Sequence, residues 1–225
     1  MLAAIGDDAP DTVWCLGDVV GYGPRPNECC ARVAERADLC LVGNHDLVVL
    51  GRLDVAEFSH DAAESARWTA AVLSDESRGF LEPLDPRATR DGVELYHASA
   101  RDPVWEYVLT AEAALVSLAL TAAPIVLVGH SHVALALSLA DEQLDGGVAP
   151  GGAELDLHEA ERWLLNPGSV GQPRDGDPRA AYLLLDLAEK RASFRRVRYP
   201  IERTQEELRE IGLPEALAVR LEHGI

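Results

Sequence analysis

The chain has 225 residues, 48% of them hydrophobic, and carries 38 acidic against 20 basic side chains for a formal net charge of -18. That length and apolar content fit one large domain with a substantial core, and no apolar run approaches the roughly 18 residues of a membrane span. So acidic a surface repels phosphate backbones and anionic lipid, which argues against nucleic-acid and membrane partners. It also means that a site for a phosphate compound needs its own positive centre.

No basic-then-apolar leader precedes a cleavage site, and Cys15, Cys29, Cys30 and Cys40 contain no C-x-x-C pair. A cytoplasmic protein with four reduced, structural thiols is the expectation. In chain order, Met1 to Asp11 reads as the last turns of a helix and a loop, and "TVWCL" (12–16) as a short buried strand. A helix follows from Pro26 to Ala37, with Pro26 well placed in a first turn. "LCLVG" (39–43) is the next strand. Phe58, Ala62, Ala66, Thr69 and Leu73 recur at helical spacing and predict an amphipathic helix. "VELYH" (93–97) alternates as a strand after an Asp-Gly turn. An alanine- and leucine-rich helix over about 111–121 leads to a further strand, "PIVLVGH" (124–130).

Beyond residue 132 the texture changes. "VALALSLA", "AELDL", "ERWLLN", "AAYLLLDL" and "ASFRRVRY" are strand candidates separated by turn residues, and antiparallel pairing is their natural outcome. The chain closes with helices over Glu202–Ile211, stopped by Gly212 and Pro214, and Glu215–Glu222. A first sheet with helical crossovers, packed against a second, hairpin-rich sheet with helices outside, is the expected architecture, in one domain spanning 1–225.

Four strands end in residues able to bind metal: Gly17-Asp18, "GNHD" (43–46), His97 and "GHSH" (129–132). Functional groups in open α/β sheets gather past the carboxyl ends of the strands, so Asp18, Asn44, His45, His97, His130 and His132 can share one rim. Oxygen and imidazole donors suit Mn, Fe, Co, Ni or Zn. Each residue has an ordinary reading by itself: a core or capping histidine, an Asn in a tight turn, two histidines alternating along extended chain. What sets them apart is their order after successive strands.

The set "GD…GNHD…H…GHSH" resembles the calcineurin-like metallophosphoesterases over nearly the whole chain. "CLGDVVGYGPRPNE" and "NPGSVGQPRDGDPRAAYLLLD" look like the bacterial and archaeal phosphodiesterase branch. The resemblance implies an α+β fold, a four-layer α/β/β/α sandwich of two mixed sheets, and a centre of two divalent metal ions. It implies that Asp18 bridges both metals, that Asn44, His97 and His130 complete one, and that His132 ligates the other. His45 would contact the phosphate and aid leaving-group departure, oriented by Asp46, with Asn44 facing the substrate; apart from the resemblance, Arg174 in "NPGSVGQPR" is a candidate phosphate contact. Two cations about 3.5 to 4 Å apart lower the pKa of a bridging water and hold phosphoryl oxygens for in-line attack, and they supply the positive field that the acidic surface lacks.

The family's first motif, a buried strand ending in Asp-x-His, has no counterpart before Asp18. The chain is therefore expected to start inside the family's first α-helix, with an in-frame extension upstream that encodes the motif. On the residues present, one metal keeps Asp18 and His132 only. Elsewhere, "NPGSVGQPR" lacks both the nucleophile-elbow and the Walker patterns; it is either a glycine-rich loop beside the metals or a plain turn. Tyr22, Arg25, Trp105 and Tyr107 either shape the pocket or pack. The expected activity is metal-dependent hydrolysis of a small soluble phosphate ester, a phosphodiester above all. The alternative is a catalytically impaired binding or regulatory module lacking one metal site. A serine hydrolase built on Ser169 has no credible oxyanion arrangement.

Overall fold

The computed structural model describes residues 1–225. Its strands, in chain order, are β1 (Trp14–Cys15), β2 (Leu39–Cys40), β3 (Arg87–Arg90), β4 (Val93–Tyr96), β5 (Ile125–Val128), β6 (Ala134–Ala140), β7 (Gln143–Val148), β8 (Glu154–Asp156), β9 (Arg162–Pro167), β10 (Ala180–Asp186) and β11 (Arg191–Val197). The helices are α1 (Leu2–Asp8), α2 (Pro26–Arg36), α3 (Asn44–Val49), α4 (His60–Val72), α5 (Asp75–Leu81), α6 (Ala111–Ala119), α7 (Ile201–Glu210) and α8 (Glu215–His223).

The fold is α+β. A six-stranded mixed sheet runs in the order β3-β4-β5-β9-β6-β7, a three-stranded sheet in the order β10-β11-β8, and β1 and β2 form a short parallel ladder. Side-chain alternation explains how they stack, because successive residues of a strand face opposite sides. Val93, Leu95, Ile125, Leu127 and Leu165 share a core with Leu41, Leu157 and Ala192, against which Trp14, Leu155 and Leu183 also pack. That core joins all three sheets. The opposite face of the six-stranded sheet presents Tyr96, Val126, Val128 and Leu164 to Ala114 and Leu118 of α6. Strands buried on both faces read as unbroken apolar runs, which is why "IVLV" and "WLL" carry no polar residue.

Two expectations about the sheets change. Strands β6, β7 and β9 join the first sheet: β9 lies parallel to β5 and antiparallel to β6. Only β8, β10 and β11 make the second sheet, through antiparallel pairs. The β1–β2 ladder, expected within the first sheet, hydrogen-bonds to itself alone, with Trp14 opposite Leu39 and Cys15 opposite Cys40. The cysteines are free. Helices α3 and α5 and strands β3 and β7 carry too few periodic apolar residues to be read from sequence; α3 is six residues long. No helix is long and apolar enough to cross a membrane.

The layering sets the site. β1, β2, β4 and β5 all end at one rim, so Asp18, Asn44, His97 and His130 emerge together.

Candidate metal centre

Asp18, His97 and His130 converge, each offering one ligand atom within 4.8 Å of the others. The two histidines are buried, and their rings lie 5.1 Å apart. Asn44 joins them: its Oδ1 is 3.2 Å from His97 Nε2. Asp18 and His130 both adopt left-handed backbone, with φ of 52° and 59°, a conformation that L-residues other than Asn, Asp and glycine seldom take. Two motif glycines make the convergence possible. A Cβ at Gly43 would overlap the Asp18 carboxylate, and one at Gly17 would sit 2.8 Å from His97 Nδ1.

Backbone carbonyls decide the tautomers. His97 Nδ1 donates to Leu16 O at 2.7 Å, His130 Nε2 to Trp105 O at 3.1 Å, and His132 Nδ1 to Gln172 O at 2.7 Å. A carbonyl only accepts, so each ring carries its proton there and turns a lone pair the other way, as metal-ligating histidines do. Burial depresses all three below the ordinary imidazole range, His130 and His132 to about 3, and neutral imidazole is the ligating form.

The consequence at the centre is electrostatic. His97 Nε2, Asn44 Oδ1 and Asp18 Oδ2 are three acceptors facing one another, the last 3.5 Å from His97 Nε2. Asp18 Oδ2 is buried and has no hydrogen-bond donor. An unsatisfied buried acceptor costs about 1 to 3 kcal/mol, and burial pushes the Asp18 carboxyl up to about 7 against the pull of the His45 amide and Arg174. A cation resolves this arrangement. One carboxylate, one amide oxygen and two imidazole nitrogens fit a divalent ion of intermediate softness.

The other site residues lie around this cluster. His132, also in left-handed backbone at φ 59°, stands outside it, with its ring 6.5 Å from that of Tyr22. His45 donates its backbone N–H to Asp18 Oδ1 at 3.0 Å. Its ring lies 4.4 Å from that of Tyr22 and 4.5 Å from that of Phe58, tilted by 54° and 43°, with Nδ1 buried and unpartnered. Asp46 does not orient that ring. Its two oxygens accept from Val20 N at 3.0 Å and Gly43 N at 2.8 Å, because at the third position of α3 its carboxylate reaches back to the helix cap. It ties the loop after β1 to the loop after β2, and burial beside Asp18 raises it to about 7.

Arg174 donates to Gln172 Oε1 at 2.9 Å and Tyr22 Oη at 3.3 Å, and its guanidinium lies over the Tyr22 ring, 5.6 Å from the centroid. No carboxylate pairs with it; its positive charge instead opposes the rise that burial gives Asp18 and adds to the fall that burial gives His45, His130 and His132. Its neighbour Asp175 forms a buried ion pair with Arg196, which anchors the loop. The carbonyls that fix the imidazoles, the role of Asp46 and the ring of Phe58 on His45 were not found from sequence. Most are contacts between distant segments with no local signature; the bond from Gly43 N to Asp46, three residues apart, is a helix-cap contact.

The sequence model of the calcineurin-like phosphoesterase superfamily domain matches residues 1–190. An uncharacterized protein of Methanocaldococcus jannaschii, MJ0912, is 34% identical over 215 residues, 93% of this chain and 85% of that protein. The crystal structure of a metallophosphoesterase from Sphaerobacter thermophilus superposes with a TM-score of 0.87 at 40% identity, covering all of this chain and 93% of that one. Hypothetical protein PH1004 of Pyrococcus horikoshii shares the fold at a TM-score of 0.73 and 16% identity, over 100% and 90% of the two chains. With a buried cluster of metal-ligating residues where its strands end, and with these relatives, the chain belongs to the calcineurin-like phosphoesterase superfamily, a family of metal-dependent phosphoesterases.

Proposed function

We propose that this protein is a phosphodiesterase that hydrolyses a small soluble phosphate ester in the cytoplasm with two divalent ions, manganese being the first to test. The observation that carries the reading is the convergence of Asp18, His97 and His130, their imidazoles locked by backbone carbonyls with lone pairs facing inward. When bound, the ions polarise the phosphoryl group and provide a nucleophile at neutral pH.

The protein's own residues supply the rest. Asp18, Asn44, His97 and His130 would hold one ion, and Asp18 and His132 would contribute to a second. His45, kept neutral by burial, donates a hydrogen bond to a phosphoryl or leaving-group oxygen. Arg174, free of any carboxylate, neutralises the phosphate as it arrives and opposes the repulsion of the acidic surface. Tyr22 and Gln172 hold its guanidinium in place.

Metal analysis with turnover of bis(p-nitrophenyl) phosphate tests the reading. About two ions per chain and activity abolished by His45→Ala are expected. One observation favours a second reading, a binding module with a single metal: three ligand residues converge at one place only, Asp18, His97 and His130, while a second ion would have Asp18 and His132 alone. One ion or fewer, with no turnover, would establish that alternative.

A further inference from the structure

Tyr107 is a large aromatic residue left 46% exposed beside the metal cluster. Its ring lies flat on His130, 4.1 Å between centroids and 15° between planes. One face therefore covers a candidate ligand, and the ring remains substantially open to solvent. The loop beneath it is pinned. Asp102 Oδ1 accepts from Val104 N and Trp105 N, both at 3.0 Å. The Trp105 carbonyl holds His130, and Val108 is buried in the core under α6. Tyr107 thus presents a planar surface already held in place, one imidazole away from where phosphate would bind. A rigid aromatic loses little conformational entropy when a ligand stacks on it.

We infer that Tyr107 is the stacking platform for a planar aromatic group on the substrate, a nucleobase or an aryl ester. This deepens the phosphoesterase reading and rests on it. The charge of the protein points the same way. At -18 its surface penalises every extra negative charge on a ligand, whereas stacking adds affinity without charge. Leu109, 55% exposed two residues on, extends the apolar margin.

Calorimetry on the manganese-loaded protein with adenosine 5′-monophosphate and ribose 5-phosphate tests the inference, because these ligands carry the same phosphate and differ in the base. The wild-type protein should prefer the nucleotide by at least about fivefold, the low end for stacking on one aromatic side chain. Tyr107→Ala should bring the ratio of affinities to about one, and Tyr107→Phe should restore it. If Tyr107→Ala does not fold, Tyr107→Leu, apolar but not planar, should give the same collapse of the ratio. Equal wild-type affinities, or a ratio that survives the loss of the ring, would overturn the inference and leave the phosphoesterase reading standing. Binding of neither compound by protein that turns over bis(p-nitrophenyl) phosphate would overturn the inference alone, and binding of neither with no turnover would overturn both.

Discussion

The two halves of the metal centre are built differently. His97 and His130 follow β4 and β5, each paired on both sides within the six-stranded sheet and buried on both faces. Asp18 and Asn44 follow β1 and β2, two residues each and paired only with one another. The imidazole half inherits its geometry from the sheet. The oxygen half depends on side chains, with Asp46 tying Val20 to Gly43 and Asp18 receiving the His45 amide. A protein can therefore place ligands accurately on little regular structure if one buried carboxylate crosses between the loops, at the cost of a second buried charge beside the first.

The comparison breaks most visibly on stability. Leu165→Ala, in the core that supports β5, should cost about 2 to 5 kcal/mol of unfolding free energy, read by denaturant titration. A loss under about 1 kcal/mol would mean that the sheet is not what secures the imidazole half. Next, Asp18→Asn should lower manganese affinity at least about a hundredfold, the upper range for changes around a metal site, by removing the only anionic donor of the cluster. Calorimetry would read it, and an unchanged affinity would place the metal elsewhere.

Asp46→Asn sharpens the contrast. An amide can accept only one of the two backbone bonds, so manganese affinity should fall about tenfold while β4 and β5 keep their hydrogen-exchange protection. Equal loosening of both halves would show that they are not separate. A smaller effect comes from pH. Burial raises the Asp18 carboxyl to about 7, so below that pH a proton competes with the cation. Burial depresses the imidazoles, which weakens their competition for protons. Manganese affinity should weaken by about fivefold as pH falls from 7 to 6, and a flat profile in calorimetric titrations would contradict the placement of Asp18.

Much of this was legible without coordinates. The helix over Pro26–Arg36 begins at its proline, β4 appears where alternation predicts it, and β5 where an unbroken apolar run does. What was not legible involves partners. "ERWLLN" was readable as a strand, yet nothing local says that it lies parallel to β5 instead of pairing in a hairpin. The sequence places Asp46 one residue from His45, which invites the idea that one orients the other. The carboxylate in fact binds amides at Gly43 and Val20, because the first turn of α3 turns it back over the helix cap.

From its residues alone this protein determines its classes of element and the polar groups that close them, because periodicity and turn chemistry act over a few neighbours. Only the tertiary structure decided which closing groups meet. Sheet order brings His97 and His130 together, and Asp18 joins them from the separate β1–β2 ladder, with two glycines that let backbone and carboxylate approach. His132, with the same kind of carbonyl tether, is left apart. Distances of that sort depend on how strands far apart in the chain pack, and no short stretch of sequence encodes them.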